Sequence, residues 1–260
     1  MAEITLYINK SAGENASLYY DESKKIKKKI EGAKKALAES MKKLAQLEKD
    51  MALEAEKPEP EKKQEVKREW YEKFRWFISS EGFLCIGGRD ATTNEIVVKK
   101  HTDKDDIIFH TEMAGSPFFI LKTAGKKPGK PTLEECSQAT VSYSRAWKLG
   151  VTSADVFYVK PEQVSKEAEA GEYIAKGAFM IRGKKNMTNA ELKVAIGIKE
   201  SKIIGGPVDS IKANAEKYVI LSPGKEKASD TAKKIKNIIG GDLDDIIRFL
   251  PSGGFSITSR

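Results

Sequence analysis

Between residues 21 and 56, apolar side chains recur at Ile26, Ile30, Ala33, Leu37, Leu44, Leu47 and Met51, with Ser40 completing a series of alternating steps of four and three. Lys and Glu fill most positions between. Two apolar positions per seven residues make a narrow seam, the signature of a coiled coil rather than of a helix lying on a core. Pro58 and Pro60 end this helix. The seam asks for one partner helix, either the shorter charged segment Lys62–Trp70 folding back or a second chain; a solvated spacer helix needs neither. Ahead of it, Ile4-Thr5-Leu6-Tyr7-Ile8 alternates as a strand does, and Asn9–Gly13 reads as a turn.

From Trp70 onward the apolar runs become short and close together. Phe74–Ile78 and Phe83–Ile86, separated by Ser80-Glu81-Gly82, predict a β-hairpin. A helix follows near Thr92–Lys100, then strands at Ile107–Thr111 and Phe118–Lys122. The spacing predicts a long helix over Thr132–Leu149, with Pro131 before it, a capping box formed by Thr132 and Glu135, and Gly150 as its stop. Cys136, Ala139, Tyr143, Ala146 and Trp147 share one face of that helix. Strands are expected at Asp155–Val159, Phe179–Ile181, Val194–Ile198 and Tyr218–Leu221. Helices are expected at Val208–Ala215, Ala228–Ile239 and Asp242–Phe249, with a loose tail from Pro251. Strands gathered early, with helices interspersed, define the α+β class: a mixed β-sheet domain with helices, preceded by a long coiled-coil helical arm.

Composition narrows the setting. A chain of 260 residues with 40% hydrophobic and 32% charged residues can bury a core of ordinary size. No apolar run approaches the roughly 18 residues that cross a bilayer, and Met1-Ala2-Glu3-Ile4 is not the start of a signal peptide. Two cysteines, Cys85 and Cys136, fit a reducing compartment, so the expected location is the cytoplasm, with no membrane partner. The 46 basic against 38 acidic residues leave a net charge of +8, a field that attracts phosphate backbones.

Several motifs bear on chemistry. Gly177–Gly183-Lys184-Lys185 resembles a phosphate loop only superficially: five residues separate the glycines where that loop has four, and Lys185 stands where a magnesium-holding Ser or Thr belongs. Asp106 and His110, four apart in a strand, point to one face, where an acid–base pair or metal corner is conceivable; a histidine bonded within the sheet or reading phosphate is the plainer alternative. There is no Gly-x-Ser-x-Gly elbow. No catalytic constellation, metal site or cofactor is therefore predicted. Two basic clusters fit nucleic acid better. Lys122, Lys126, Lys127 and Lys130 crowd a stretch with two glycines and no acid, and Arg182, Lys184, Lys185 and Asn186 follow a predicted strand directly. Trp76, Phe83, Tyr143, Trp147, Tyr158 and Tyr173 are interleaved with them, and exposed members stack on unpaired bases; solvated lysine loops and core aromatics are the plainer alternatives.

The residues also carry a family likeness. Glu69–Phe77, Gly87-Gly88-Arg89-Asp90-Ala91 with Asn94-Glu95, Asp106–Thr111 with Gly115-Ser116, Ser144-Arg145-Ala146-Trp147, Val159 to Lys166, Gly171-Glu172-Tyr173 and Gly177–Asn186 resemble, in order, the motifs of NFACT-R, including its Asp-x-x-x-His. The wording is nearest the archaeal–eukaryotic, NEMF-like branch. Ile108 stands where relatives often have Trp, and Pro117 where bacterial members have His. The resemblance implies a non-enzymatic RNA-binding adaptor for tRNA and rRNA on large ribosomal subunits obstructed by peptidyl-tRNA. After the strand-like segment at 1–20, it implies a coiled coil at 21–73, an RNA-binding domain at 74–186, and an α/β extension at 187–260. The family's N-terminal NFACT-N half is not in this sequence, so either a partner supplying it or a longer chain carrying it is expected, and coiled-coil self-association is open. The implied RNA-contacting residues are Arg89, Asp106, His110, Lys122, Lys126, Lys127, Lys130, Arg145, Lys166, Arg182, Lys184, Lys185 and Asn186. The alternative is an enzyme of tRNA modification, or its RNA-presenting subunit, working from the Asp106/His110 face.

Overall fold

In the computed structural model, which describes residues 4–55, 68–167 and 174–259, the chain falls into two units, 1–67 and 68–260. The first is built on one 44-residue helix, α1 (Ala12–Ala55). It begins earlier than the seam indicates, because Ser11 and Glu14 form a capping box: the Ser11 N–H donates to Glu14 Oε2 at 2.7 Å and the Glu14 N–H to Ser11 Oγ at 3.3 Å. The expected strand at Ile4–Ile8 is not formed. The Asn15 amide takes the Tyr7 N–H and donates to the carbonyls of Tyr7, Lys10 and Ser11, gathering the backbone onto the first turn of the helix. A lone strand has no ladder partner, and a side chain that bonds backbone locally wins. The seam residues Ile26, Ile30, Leu37, Leu44 and Leu47 are exposed within this unit, as is Met41 beside Ser40. Most of the expected return segment Lys62–Trp70 lies outside the described residues.

The second unit runs in order through β1 (Arg75–Ile78), β2 (Leu84–Gly87), α2 (Ala91–Lys100), β3 (Ile107–His110), β4 (Phe119–Leu121), α3 (Lys130–Ser142), α4 (Arg145–Leu149), β5 (Ser153–Val159), the short β6 (Val164–Ser165) and β7 (Met180–Ile181), β8 (Asn186–Glu191), β9 (Val194–Lys199), β10 (Lys202–Gly206), α5 (Val208–Asn214), β11 (Lys217–Glu226), α6 (Ala228–Ile239), α7 (Leu243–Phe249) and β12 (Phe255–Ser259). A six-stranded antiparallel sheet has the order β1-β2-β4-β3-β5-β8, and a four-stranded one the order β10-β9-β11-β12. The first residue of β8 is the last of the expected 74–186 domain, and the strand pairs with β5 over its length.

The six-stranded sheet is apolar on both faces. Cys85, Phe109 and Phe119 join Cys136, Ala139 and Trp147 of the α3–α4 side together with Val194 and Ile196 of the second sheet, whereas Ile86, Ile108 and Ile120 turn to Val97 of α2. The period-two alternation of a strand sends neighbours to opposite layers, so a run such as Ile107-Ile108-Phe109 is apolar throughout. The Cys85 and Cys136 sulfurs are 3.1 Å apart as free, buried thiols, and burial raises the Cys85 pKa.

Three further expectations fail, all in the second unit. The helix expected over Thr132–Leu149 is two helices, interrupted where Ser144 caps α4 by accepting from the Ala146 N–H at 3.1 Å. Its N-terminus is not capped by Thr132 and Glu135, which face inward: Glu135 takes the Ser80 N–H at 3.0 Å. The cap comes from the hairpin turn, where the Glu81 carboxylate accepts from the Gly129 N–H at 3.0 Å, the Thr132 N–H at 3.3 Å and the Thr132 hydroxyl at 2.5 Å. The tail is not loose either. Trp147 Nε1 donates to the Gly254 carbonyl at 2.9 Å and leads the chain into β12, which pairs with β11.

Glu81→Gln is expected to lower the urea midpoint at pH 7 with no change in the denaturant slope, since it weakens a charge-assisted cap. The Thr132 hydroxyl, with the other bonds, lowers the Glu81 pKa below 4.5 in the fold, so this contribution is present above 4.5 and fades as pH falls through the folded value. Equal midpoints for the two proteins at pH 7 would show that the start of α3 does not depend on this carboxylate.

Candidate nucleic-acid interface

At one end of the six-stranded sheet, where β2 leaves, α2 begins and β3 turns into β4, lies a cleft of about 660 Å³. Its shape rests on two close approaches. Gly88 lies against Asn94, so that a Cβ there would meet Asn94 Oδ1 at 1.9 Å. Asn94 Oδ1 in turn accepts the Phe118 N–H at 3.1 Å, and its Nδ2 donates to the Ser116 carbonyl at 3.5 Å, fastening the β3–β4 loop to α2. On the opposite wall Gly177, at φ +78°, passes so near Ala91 that a Cβ would sit 2.5 Å from its Cα. Only glycine combines that backbone conformation with that proximity.

Lys166 and Gln163 shape the same wall. Lys166 Nζ donates to the carbonyls of Ala175 and Ala178, each at 3.0 Å, and lies over the Phe179 ring. Gln163 Nε2 donates to the carbonyls of Arg182 and Lys184 at 2.9 and 3.0 Å. Beyond them Arg182, Lys184 and Asn186 are exposed. Lys185 Nζ reaches Glu112 at 2.6 Å and stands 4.6 Å from the centre of the Phe157 ring. Lys176 lines the cleft, and among the described residues neither it nor Arg182 nor Lys184 makes an ion pair. Arg145 is exposed beside the loop, its Cβ 3.7 Å from where one on Gly115 would be.

His110 forms the floor. Its ring stacks on Phe118 with centroids 4.0 Å apart and planes 24° from parallel, and Phe157 lies 5.9 Å away. Burial lowers its pKa to about 4, against opposing contributions from the Thr111 and Ser116 backbone. At neutral pH it is therefore an uncharged aromatic surface rather than a cation for phosphate.

Asp106 is not its partner. A strand advances about 3.3 Å per residue, so four residues place the two groups about 13 Å apart, at opposite ends of β3. Asp106 is buried, its carboxylate bonded to Lys122 Nζ and to the N–H groups of Asp103 and Thr123. Lys122 also holds Asp103 at 2.7 Å and the His101 carbonyl at 3.0 Å. Of the remaining lysines at that end, Lys126 and Lys127 are exposed and Lys130 pairs with Glu134 at 3.2 Å. Among the described residues no group of three His, Cys, Asp or Glu side chains is arranged to hold a metal. Of the residues singled out from the sequence, the structure thus brings Arg89, His110 and Lys185 into the cleft, sets Arg145, Lys166, Arg182, Lys184 and Asn186 around it, and leaves Asp106, Lys122, Lys126, Lys127 and Lys130 at the far end of the sheet. Sequence reasoning missed Lys176, Phe118 and the stapling role of Asn94; the Gly88…Asn94 spacing across a helix start was the available signal.

Residues 73–183 match the family model described as the NFACT protein RNA binding domain. Over 207 residues the chain is 45% identical to the archaeal Rqc2 homolog aRqcH of Methanocaldococcus jannaschii, covering 76% of this chain and 31% of that protein. Over 177 residues it is 40% identical to the human ribosome quality control complex subunit NEMF, covering 66% and 16% respectively. The chain thus spans about a third or less of the length of these curated relatives. Among solved structures, the C-terminal part of the fibronectin/fibrinogen-binding protein from Streptococcus suis aligns with 70% of this chain and 77% of its own, at 13% identity and a TM-score of 0.39. Among the described residues no helix is long and apolar enough to cross a membrane.

A neutral His110 inside the fold and a protonated one in the unfolded chain make stability depend on pH. Above 6.5 both states are neutral and the contribution is complete; as pH falls from 6.5 to about 4 the unfolded state takes up the proton first and stability is lost, by at most on the order of 3 kcal/mol. Urea midpoints of wild type and His110→Gln are expected to differ in slope across that window, the variant being flatter. Superimposable profiles would mean that His110 titrates as a solvent-exposed histidine.

Proposed function

We propose, for a chain that belongs to the NEMF-like family through an NFACT RNA-binding domain at residues 73–183, that the cleft at the end of the six-stranded sheet is its RNA-binding surface. One observation carries this reading: Lys176, Arg182 and Lys184, which have no ion-pair partner among the described residues, stand beside a cleft floored by the His110–Phe118 ring stack. Unpaired cations attract the sugar–phosphate backbone from any sequence, and stacked apolar rings accept an unpaired base. An uncharged His110 favours the base over the phosphate. The separation of Asp106 from His110 removes the observation on which a tRNA-modifying reaction rested, and binding rather than catalysis is the role we assign.

The relatives' names support a role in ribosome quality control. The finer reading, which follows from the motif resemblance, is that this chain acts in the cytoplasm as an adaptor binding tRNA or rRNA on large ribosomal subunits obstructed by peptidyl-tRNA. The exposed seam of α1 serves as one strand of a coiled coil, formed with a second copy or with a helix of an NFACT-N-bearing partner. Residues 74–186 hold the RNA-binding elements and 187–260 extend them.

Reversing Lys176, Arg182 and Lys184 to Glu is expected to weaken binding of single-stranded RNA at least tenfold and to lower the slope of log K against log salt by about 2. Lys126→Glu with Lys127→Glu, at the far end of the sheet, serves as comparison. Loss of binding in that pair and not in the triple variant would move the interface to the other end. Co-sedimentation with large ribosomal subunits, with and without peptidyl-tRNA, tests the finer reading; equal binding to both would remove peptidyl-tRNA from it.

A further inference from the structure

Behind the wall that Arg89 and Tyr143 contribute to the cleft, the guanidinium groups of Arg75, Arg89 and Arg248 lie near one another, with the Asp90 charge acting on Arg89 and Asp245 paired to Arg248. Arg75, on β1, lies with its guanidinium carbon 4.1 Å from the centre of the Tyr143 ring. Arg89 donates from Nη2 to the Phe74 carbonyl at 3.1 Å and from Nη1 to the Arg248 carbonyl at 3.4 Å. Arg248 donates to the Glu72 carbonyl at 2.8 Å and is ion-paired to Asp245 at 3.8 Å. Among the described residues neither Arg75 nor Arg89 makes an ion pair, and Arg75 Nη1 and Arg89 Nε are buried with no hydrogen-bond acceptor.

Such an arrangement is costly. A buried guanidinium without a partner loses hydration that a ring face and a few carbonyls only partly replace, and it cannot shed its proton near neutral pH. Burial first, and then the charges of Arg75 and Arg248, hold Arg89 down at about 10 against the opposing pull of Tyr143 and Asp90, and burial also lowers Arg75. A carboxylate ion-paired to Arg89 would have relieved this, yet the carbonyls of Phe74 and Arg248 take its hydrogen bonds. Carbonyl acceptors fix the Arg89 fork in direction while leaving it, like Arg75, without an ion pair among the described residues, as a site for an external anion requires.

We propose that Arg75 and Arg89, backed by Arg248, form a recessed anion site opening into the cleft, and that its ligand is a phosphate group. Several N–H donors from planar forks match the tetrahedral oxygens of phosphate, and the combined charge suits a dianion better than a single carboxylate. A phosphodiester carries substituents on two sides, whereas a terminal monoester presents three oxygens from one side and enters a recess end-on. The site therefore takes the phosphorylated end of an RNA strand whose next nucleotides lie along the cleft. That choice of carrier rests on the RNA reading above; the phosphate site itself does not.

The test uses the full chain at fixed ionic strength, where screening is constant. Inorganic phosphate is expected to raise the melting temperature of the wild type in a saturable way, with no such rise in Arg89→Gln. A 5′-phosphorylated oligoribonucleotide is expected to bind about tenfold or more tightly than its 5′-hydroxyl counterpart, the order of a charge-assisted hydrogen bond, and that ratio to collapse to near one in Arg89→Gln. If the variant does not fold, the arginine Nε–H resonances of the wild type supply the same reading, because Arg75 and Arg89 signals shift on titration with phosphate. Stabilisation by phosphate with equal affinity for the two oligonucleotides supports the site and assigns it to free phosphate. Stabilisation without RNA binding of either kind supports the site and sinks the RNA reading. RNA binding with no response to phosphate and no preference between oligonucleotides overturns the site and leaves the RNA reading standing.

Discussion

The cleft hangs from the buried amide of Asn94. Its carbonyl oxygen holds the Phe118 N–H and its nitrogen reaches the Ser116 carbonyl, so one side chain on α2 fixes the loop that leads from His110 round to Phe118. For the amide to sit there, residue 88 must lack a side chain, and the chain turning past Gly88 also brings Arg89 to the cleft wall. The His110–Phe118 stack, the α2 N-terminus and the opening past Arg89 thus share one set of hydrogen bonds. Leaving a buried amide's partners unsatisfied costs roughly 1–3 kcal/mol each, which is why a polar group at this depth is tolerated only fully engaged.

Charge placement divides the basic residues more sharply than their spacing along the chain does. Lys122 and Lys130 sit in a stretch without acids, yet the fold brings Asp103 and Asp106 to the first, and Glu134 one helical turn away meets the second. Lys166 holds the turn at Ala175 and Ala178 instead of solvent. Lys176, Arg182 and Lys184 keep their charges free of ion pairs among the described residues; Lys176 lines the cleft, and Arg182 and Lys184 adjoin its lining residues Ile181 and Lys185 in the chain. A lysine cluster in sequence is a statement about composition; whether it can meet phosphate is decided by which carboxylates the fold has already brought to it.

Much of the fold was legible because strands buried on both faces and helices with one apolar face leave strong periodic traces. The β1–β2 hairpin, α2, β5, β9 and α6 fall where the sequence places them. What was illegible depends on partners distant in the chain. Asn186–Glu191 has only Met187 and Ala190 as apolar residues and is a strand because β5 offers it an edge. The tail is ordered by the Trp147 bond to Gly254, and α3 is capped by Glu81 from 48 residues before Gly129. Of the site, His110 and Lys185 could be named from motifs, but pairing His110 with Asp106 confused a shared face with proximity. Arg75 did leave a trace, a charge between Phe74 and Trp76 inside an apolar strand, which a reading by hydrophobic pattern passes over.

The account turns on RNA lying in the cleft at the His110 end of the sheet. Ultraviolet cross-linking of a bound single-stranded RNA, followed by mass spectrometry of the peptides, addresses this directly. The account predicts cross-links in the segments bearing His110 to Phe118 and Phe179 to Lys185. Cross-links confined to the Lys122–Lys130 loop, or to the four-stranded sheet and its helices, would contradict it.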